Sequence, residues 1–116
     1  MSVESNIVTA LSSLVSGRIY PDVAPLDAAK PYITYQQVGG EVVNFLESIA
    51  PGKRNGRFQI NIWAETRAQA ADLSRQAEVI LIESPALLAT PQAAATAQYE
   101  TDTKLYGTLQ FFSIWF

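Results

Sequence analysis

The sequence contains no cysteine and no histidine. Without cysteine there is no disulfide framework, no thiolate nucleophile and no cysteine metal site. Without histidine the chain lacks the commonest general base, the commonest zinc ligand and the usual proton switch near neutral pH. Catalysis would fall to carboxylate, lysine, tyrosine or serine. Charge is also sparse: 16% of the 116 residues are charged and 48% are hydrophobic. So apolar a chain does not stay disordered, and this length suits one domain around one core. The net charge of −3 argues against a nucleic-acid binder built on a broad basic face. No glycine-rich phosphate loop, GxSxG elbow or aspartate-rich calcium loop occurs. No two carboxylates stand where an acid/base pair is expected. The expectation is a protein that is not an enzyme and takes no cofactor or metal.

Against these absences, one stretch stands out. From Arg57 to Ser84 a strand pattern runs straight into a helix pattern. Phe58, Ile60 and Ile62 alternate with Gln59, Asn61 and Trp63, as in a half-buried strand. Ala70, Leu73, Ala77, Ile80 and Leu81 then recur at helical steps. Thr66 is the expected N-cap, with Gln69 completing a capping box, and Pro85 marks the stop. The small alanines suggest close packing of this helix on a sheet.

The remaining segments fit around that unit. Val3, Ile7, Leu11, Leu14 and Val15 share one face of an expected helix over 3–16, with Gly17 as its stop. The opening residues lack a basic start and a continuous apolar run, so neither a signal peptide nor a membrane span is expected. A soluble protein made in the cytoplasm follows as an expectation. Arg18 to Pro31 holds three prolines, Pro21, Pro25 and Pro31, and reads as a stiff extended connection. Tyr32 to Val38 reads as a strand, Gly39-Gly40 as a hairpin turn and Glu41 to Ile49 as the returning strand. Ala50 to Gly56 is loop-like, and Lys53, Arg54 and Arg57 place three of the eight basic residues within five positions. Ala93 to Tyr99 leans to strand. Thr108 to Phe116 is a strong strand: Leu109, Phe111, Ser113 and Trp115 line one face, and Gln110, Phe112, Ile114 and Phe116 the other. With apolar residues on both faces it must be central, or buried against another chain.

The whole reads as one α+β domain over 1–116. Its expected form is a mostly antiparallel sheet of about four to five strands. Two main helices pack on that sheet, an N-terminal helix and a helix at 66–84. A soluble domain with two-faced strands, a stiff proline arm and no catalytic group suits a part of an assembly.

The order of pieces carries a resemblance. Arg18-Ile19-Tyr20-Pro21, Ala24-Pro25, Pro31-Tyr32 with its strand, and Ile62-Trp63-Ala64 before the helix resemble the tail completion proteins of long-tailed bacteriophages and prophages. These are also called tail terminators or head-to-tail joining proteins, and the resemblance spans nearly the whole chain. It implies an α+β domain that forms a ring, usually a hexamer, at the head-proximal end of the tail tube. Such a ring ends tail polymerisation and joins the tail to the head connector in the virion neck. It is assembled in the bacterial host cytoplasm, and DNA only passes through it. The implied partners are further copies of the chain, the tail tube protein and the head connector protein, with no membrane.

On this resemblance Lys53, Arg54, Asn55 and Arg57 are the candidate lumen or tube-facing loop. Tyr20, Pro21, Pro25, Trp63, Trp115 and Phe116 are the candidate subunit interface. The alternative reading is a bacterial α+β domain that binds a small ligand or peptide, with a pocket lined by Tyr32, Tyr35 and Trp63.

Overall fold

A computed structural model describes residues 2–42 and 54–116. The first helix, α1, runs over Val3–Leu11. Ser2 caps it: the hydroxyl accepts the Ser5 amide at 3.1 Å, satisfying one of the donors every helix start leaves open. Glu4 in the first turn complements the helix dipole. A tighter 3₁₀ turn over Ser12–Leu14 follows, and Gly17, at φ 79°, ends the segment as expected.

The chain then departs from the expected plain connection. Ile19–Pro21 forms a short strand, β1, parallel to β2 at Tyr32–Gln37, with Ile19 opposite Ile33. Pro21 is tolerated because β1 is an edge strand, where its missing N–H removes no ladder bond. Between β1 and β2 the proline-rich arm turns out and returns. Its base is held by Arg18, whose Nε donates to the Pro31 carbonyl at 2.8 Å and whose Nη2 donates to that of Lys30 at 3.4 Å.

β2 pairs antiparallel with β3, Asn55–Ala64, and β3 pairs antiparallel with β6, Leu105–Trp115. The antiparallel partner of β2 is therefore β3. Gly39-Gly40 does not make a tight hairpin, because the chain stays alongside β3. Val38 N–H donates to the Arg57 carbonyl at 2.7 Å, and Arg57 N–H donates to that of Gly39 at 2.8 Å. Gly40 then passes so close to the Asn55 backbone that no Cβ fits there. Glu41 and Val42 belong to no strand, and the rest of the expected returning strand, 43–49, lies outside the described residues.

Thr66 caps α2, Arg67–Glu83, by accepting the Gln69 amide at 3.1 Å. After α2 come β4, Thr90–Pro91, and β5, Thr96–Glu100, both antiparallel to β6. β5 answers the strand expected near Ala93 to Tyr99. The sheet order is β1-β2-β3-β6, with β4 and β5 sharing the far side of β6. The α+β class stands, and two of the six strands among the described residues, β1 and β4, are short pieces that alternation could not reveal.

Both helices lie on one side. The inward residues of α2 include Ala70, Leu73, Ala77 and Leu81; the last three join Ile60 and Ile62 of β3 and Phe112 and Ile114 of β6 in one core. α1 adds Ile7 and Leu11 to the same core, with Val15 beyond it. Phe58 and Phe112, opposed across the β3–β6 ladder, are its largest fully buried side chains. Each such burial stabilises the fold by about 1.5–3 kcal/mol. Gln110 sits among these apolar residues. Its Nε2 donates to Glu78 Oε1 at 2.6 Å and to the Ala93 carbonyl at 2.9 Å, so the buried amide is satisfied.

Candidate functional site

Among the described residues no helix lies over the other face of the sheet. The pairing sets Tyr32, Thr34 and Gln36 of β2 opposite Trp63, Asn61 and Gln59 of β3. It sets Arg57, Gln59 and Asn61 opposite Ser113, Phe111 and Leu109 of β6. Directly opposed residues share a face, so all of these side chains project to the same side. Trp115, beyond Ser113, stays 43% exposed there. The Arg57 guanidinium lies over the Phe111 ring, 4.0 Å from its centre. Gln59 Nε2 donates to Asn61 Oδ1 at 3.3 Å. This face is broad, aromatic and amide-rich, and lightly charged.

The arm covers one end of it. Asp22 to Leu26 form one wall of a groove of about 330 Å³, with Tyr32, Thr34, Asn61 and Trp63 as the floor and Glu100 and Thr103 opposite. Tyr20 meets Tyr32 edge-on at 6.2 Å. Thr103 Oγ1 donates to Glu100 Oε1 at 2.7 Å, which fixes that carboxylate at the rim. Burial, and next the Glu100 charge, push the Tyr32 phenol above its usual pKa. The arm's apolar residues do not fold inward: Val23 is 78% and Leu26 99% exposed.

The residues singled out in the sequence separate into groups. Tyr20, Arg57, Trp63 and Trp115 all lie on the uncovered face, spread along its length, and Pro21 and Pro25 are exposed on and beside the arm. Phe116 points the other way and packs edge-on against Phe58 at 6.3 Å. Arg54 is exposed and exchanges backbone hydrogen bonds with Phe116 at the far end of the ladder. Asn55 is buried: its Nδ2 donates to Ser113 Oγ at 2.8 Å and its Oδ1 accepts the Glu41 amide at 2.8 Å. Its side chain is therefore a fastener within the domain. Lys53 lies outside the described residues. The three residues of the alternative pocket do not converge, since Tyr32 and Trp63 face the groove while Tyr35 opposes Ile60 on the core side.

Sequence reasoning missed the carboxylate walls of the groove. Asp22 and Glu100 are far apart in the chain, and no spacing links them. Only the β5–β6 register, which sets Glu100 opposite Leu105, brings that turn to the arm. Among the described residues no three metal-ligating side chains gather, and no helix is long and apolar enough to cross a membrane.

Among the described residues the sheet is covered by helices on one side only, with an aromatic face left open and an exposed arm beside it. The family model of tail completion protein gp17 matches residues 7–116, and the chain belongs to that family. It is a structural protein of the bacteriophage tail.

Solved structures share its fold. A chain in the virion of a native gene transfer agent particle aligns at TM-score 0.67 and 16% identity, over 97% of this chain and 92% of that one. The gp17 protein of bacteriophage SPP1 aligns at TM-score 0.56 and 18% identity, over 96% and 86%. No curated protein sequence matches the chain.

Proposed function

We propose that the chain forms a closed hexameric ring at the head-proximal end of the tail tube, where it ends tail polymerisation and joins the tail to the head connector. The observation that carries this reading is the uncovered sheet face, in a chain that belongs to a tail completion family. Trp63, Leu109, Phe111 and Trp115 are expensive to leave in water, and a neighbouring subunit or the tube end would cover them. The work of such a ring is geometric and needs no turnover. It matches the symmetry of the tube and hides the surface on which growth would continue. DNA passes through the opening without base contacts, which suits a chain with few cations and a net charge of −3. The ring sits in the virion neck after assembly in the host cytoplasm.

The test is native mass across a concentration series, with and without magnesium, followed by co-sedimentation with isolated tail tubes. A closed oligomer that caps tubes and halts their extension supports the proposal. A chain that stays monomeric at high concentration and does not bind tubes overturns it.

A further inference from the structure

The two ends of the sheet are complementary in charge. At one end is the groove bounded by Asp22 and Glu100. Two carboxylates and no lysine or arginine line it, and its floor carries Tyr32 and Trp63. An indole face between carboxylates is a strong receptor for a guanidinium, through cation–π attraction and charge-assisted hydrogen bonds together. Outside the groove the charges of the same elements offset one another: Asp27 with Lys30 on the arm, Asp102 with Lys104 on the turn. At the other end of the sheet, among the described residues, stand Arg54 and Arg57 against Glu41, beside the half-exposed rings of Trp115 and Phe116. Arg57 is engaged by Phe111 on the uncovered face, whereas Arg54, opposite Phe116 and so on that residue's side of the ladder, is exposed at the tip.

These two ends cannot meet within one chain. Glu100 pairs with Leu105 and Arg54 pairs with Phe116, so the full length of β6 separates them. At about 3.3 Å per residue that is roughly 35 Å. From this we infer a head-to-tail contact between copies of the chain, in which Arg54 and the aromatic end of β6 of one subunit seat in the groove between Asp22 and Glu100 of the next. The inference rests on the ring proposed above and names its contact. Because donor and receptor patches differ, the contact is heterologous, the type that closes a ring when the rotation per subunit divides the circle. Rigidity favours the fit as well: Arg18 holds the arm's base, and Thr103 holds Glu100.

The test uses charge reversal with rescue, and cross-linking. Native mass is measured for the unaltered chain, for Arg54→Glu, for Glu100→Arg and for the double exchange, with circular dichroism to confirm that each is folded. Each single reversal is expected to weaken assembly at least roughly tenfold, and the double exchange to restore much of it. Since the chain has no cysteine of its own, Arg54→Cys with Glu100→Cys introduces two thiols that a short bis-maleimide can join. An arginine that reaches a carboxylate holds the two Cα atoms too far apart for a direct disulfide, and within one subunit the positions are farther apart still, so the linker joins them only between subunits. The double variant is expected to give a ladder of covalent oligomers, whereas Arg54→Cys alone and Glu100→Cys alone give dimers at most. If rings form but the reversals leave them intact and the linker gives no such ladder, this contact is wrong and the ring proposal stands. If the unaltered chain is monomeric throughout and does not cap tubes, both fall.

Discussion

The indole of Trp63 lies across Gly107, its opposite residue in the β3–β6 ladder. A Cβ built on Gly107 would stand 2.6 Å from Trp63 Cε3 and 2.8 Å from the Ile62 carbonyl oxygen. Glycine is required here because the ring occupies the space a side chain would take, which puts an aromatic over an otherwise bare stretch of strand. Gly107→Ala must displace the ring and press on backbone. A loss of about 1–3 kcal/mol in urea unfolding is expected, the usual cost of overpacking. Trp63 fluorescence should change in the folded state. An unaltered midpoint and spectrum would show that the ring does not need this space.

Asn55 fastens the start of β3 to two other parts of the chain, the Glu41 amide and Ser113 of β6. Asn55→Ala would leave a half-buried hydroxyl and a backbone N–H without their partner. A destabilisation of about 1–3 kcal/mol is expected from denaturant curves. Faster hydrogen exchange at Glu41 should accompany it. If Asn55 acts at the surface instead, as a lumen residue would, stability will stay within about 0.5 kcal/mol.

The elements that sequence reasoning found are those whose signal is local. The α2 face at Ala70, Leu73, Ala77 and Leu81, the Thr66 cap and the alternation of β3 and β6 all depend on near neighbours, so they show as periodicity. What it missed depends on pairing between distant segments. β1 is a strand only because Ile19 lies beside Ile33, and β4 only because Pro91 lies beside Phe112. Gln110 reads as a flaw in an apolar pattern until Glu78 is placed 2.6 Å from it. The site divides in the same way. Trp63 and Trp115 were legible from alternation, which assigns a residue to a face, and Arg57 only as one of a cluster of basic residues. The groove was not, because Asp22 and Glu100 come to line it only through the topology.

Arg18 is the one side chain whose hydrogen bonds close the arm's base, through the carbonyls of Lys30 and Pro31. Arg18→Ala removes both bonds and leaves the arm tied by its backbone. Hydrogen exchange at Asp22, Val23 and Ala28, whose amides bond to Tyr35, Pro21 and Pro25, is expected to speed up. The fall in global stability should be about 1–2 kcal/mol. Arg18→Lys should recover only part of the protection, because an ammonium cannot reproduce the fork that spans two carbonyls. Unchanged exchange in the alanine variant would mean the arm is held by other contacts.

The two perturbed tyrosines give the fold an alkaline limit. Burial, then the Glu100 charge, raise the Tyr32 phenol. Burial, then Glu4 and Asp22, raise that of Tyr35. In the unfolded chain both ionise near the usual value of about 10. Above that pH the folded protein holds protons that the unfolded chain has released, so further alkalinity favours unfolding. Their contribution is therefore complete below about pH 10 and is lost as the pH rises through the folded values. Unfolding curves from pH 8 to 11.5 should fall in midpoint from about pH 10 upward. Tyr35→Phe keeps the ring that packs opposite Ile60 and removes the titrating group, so it should flatten that fall. Tyr32→Phe should do the same with a smaller change in packing, since this ring lies at the groove. If both phenylalanine variants lose stability with pH as steeply as the unaltered chain, the limit arises elsewhere.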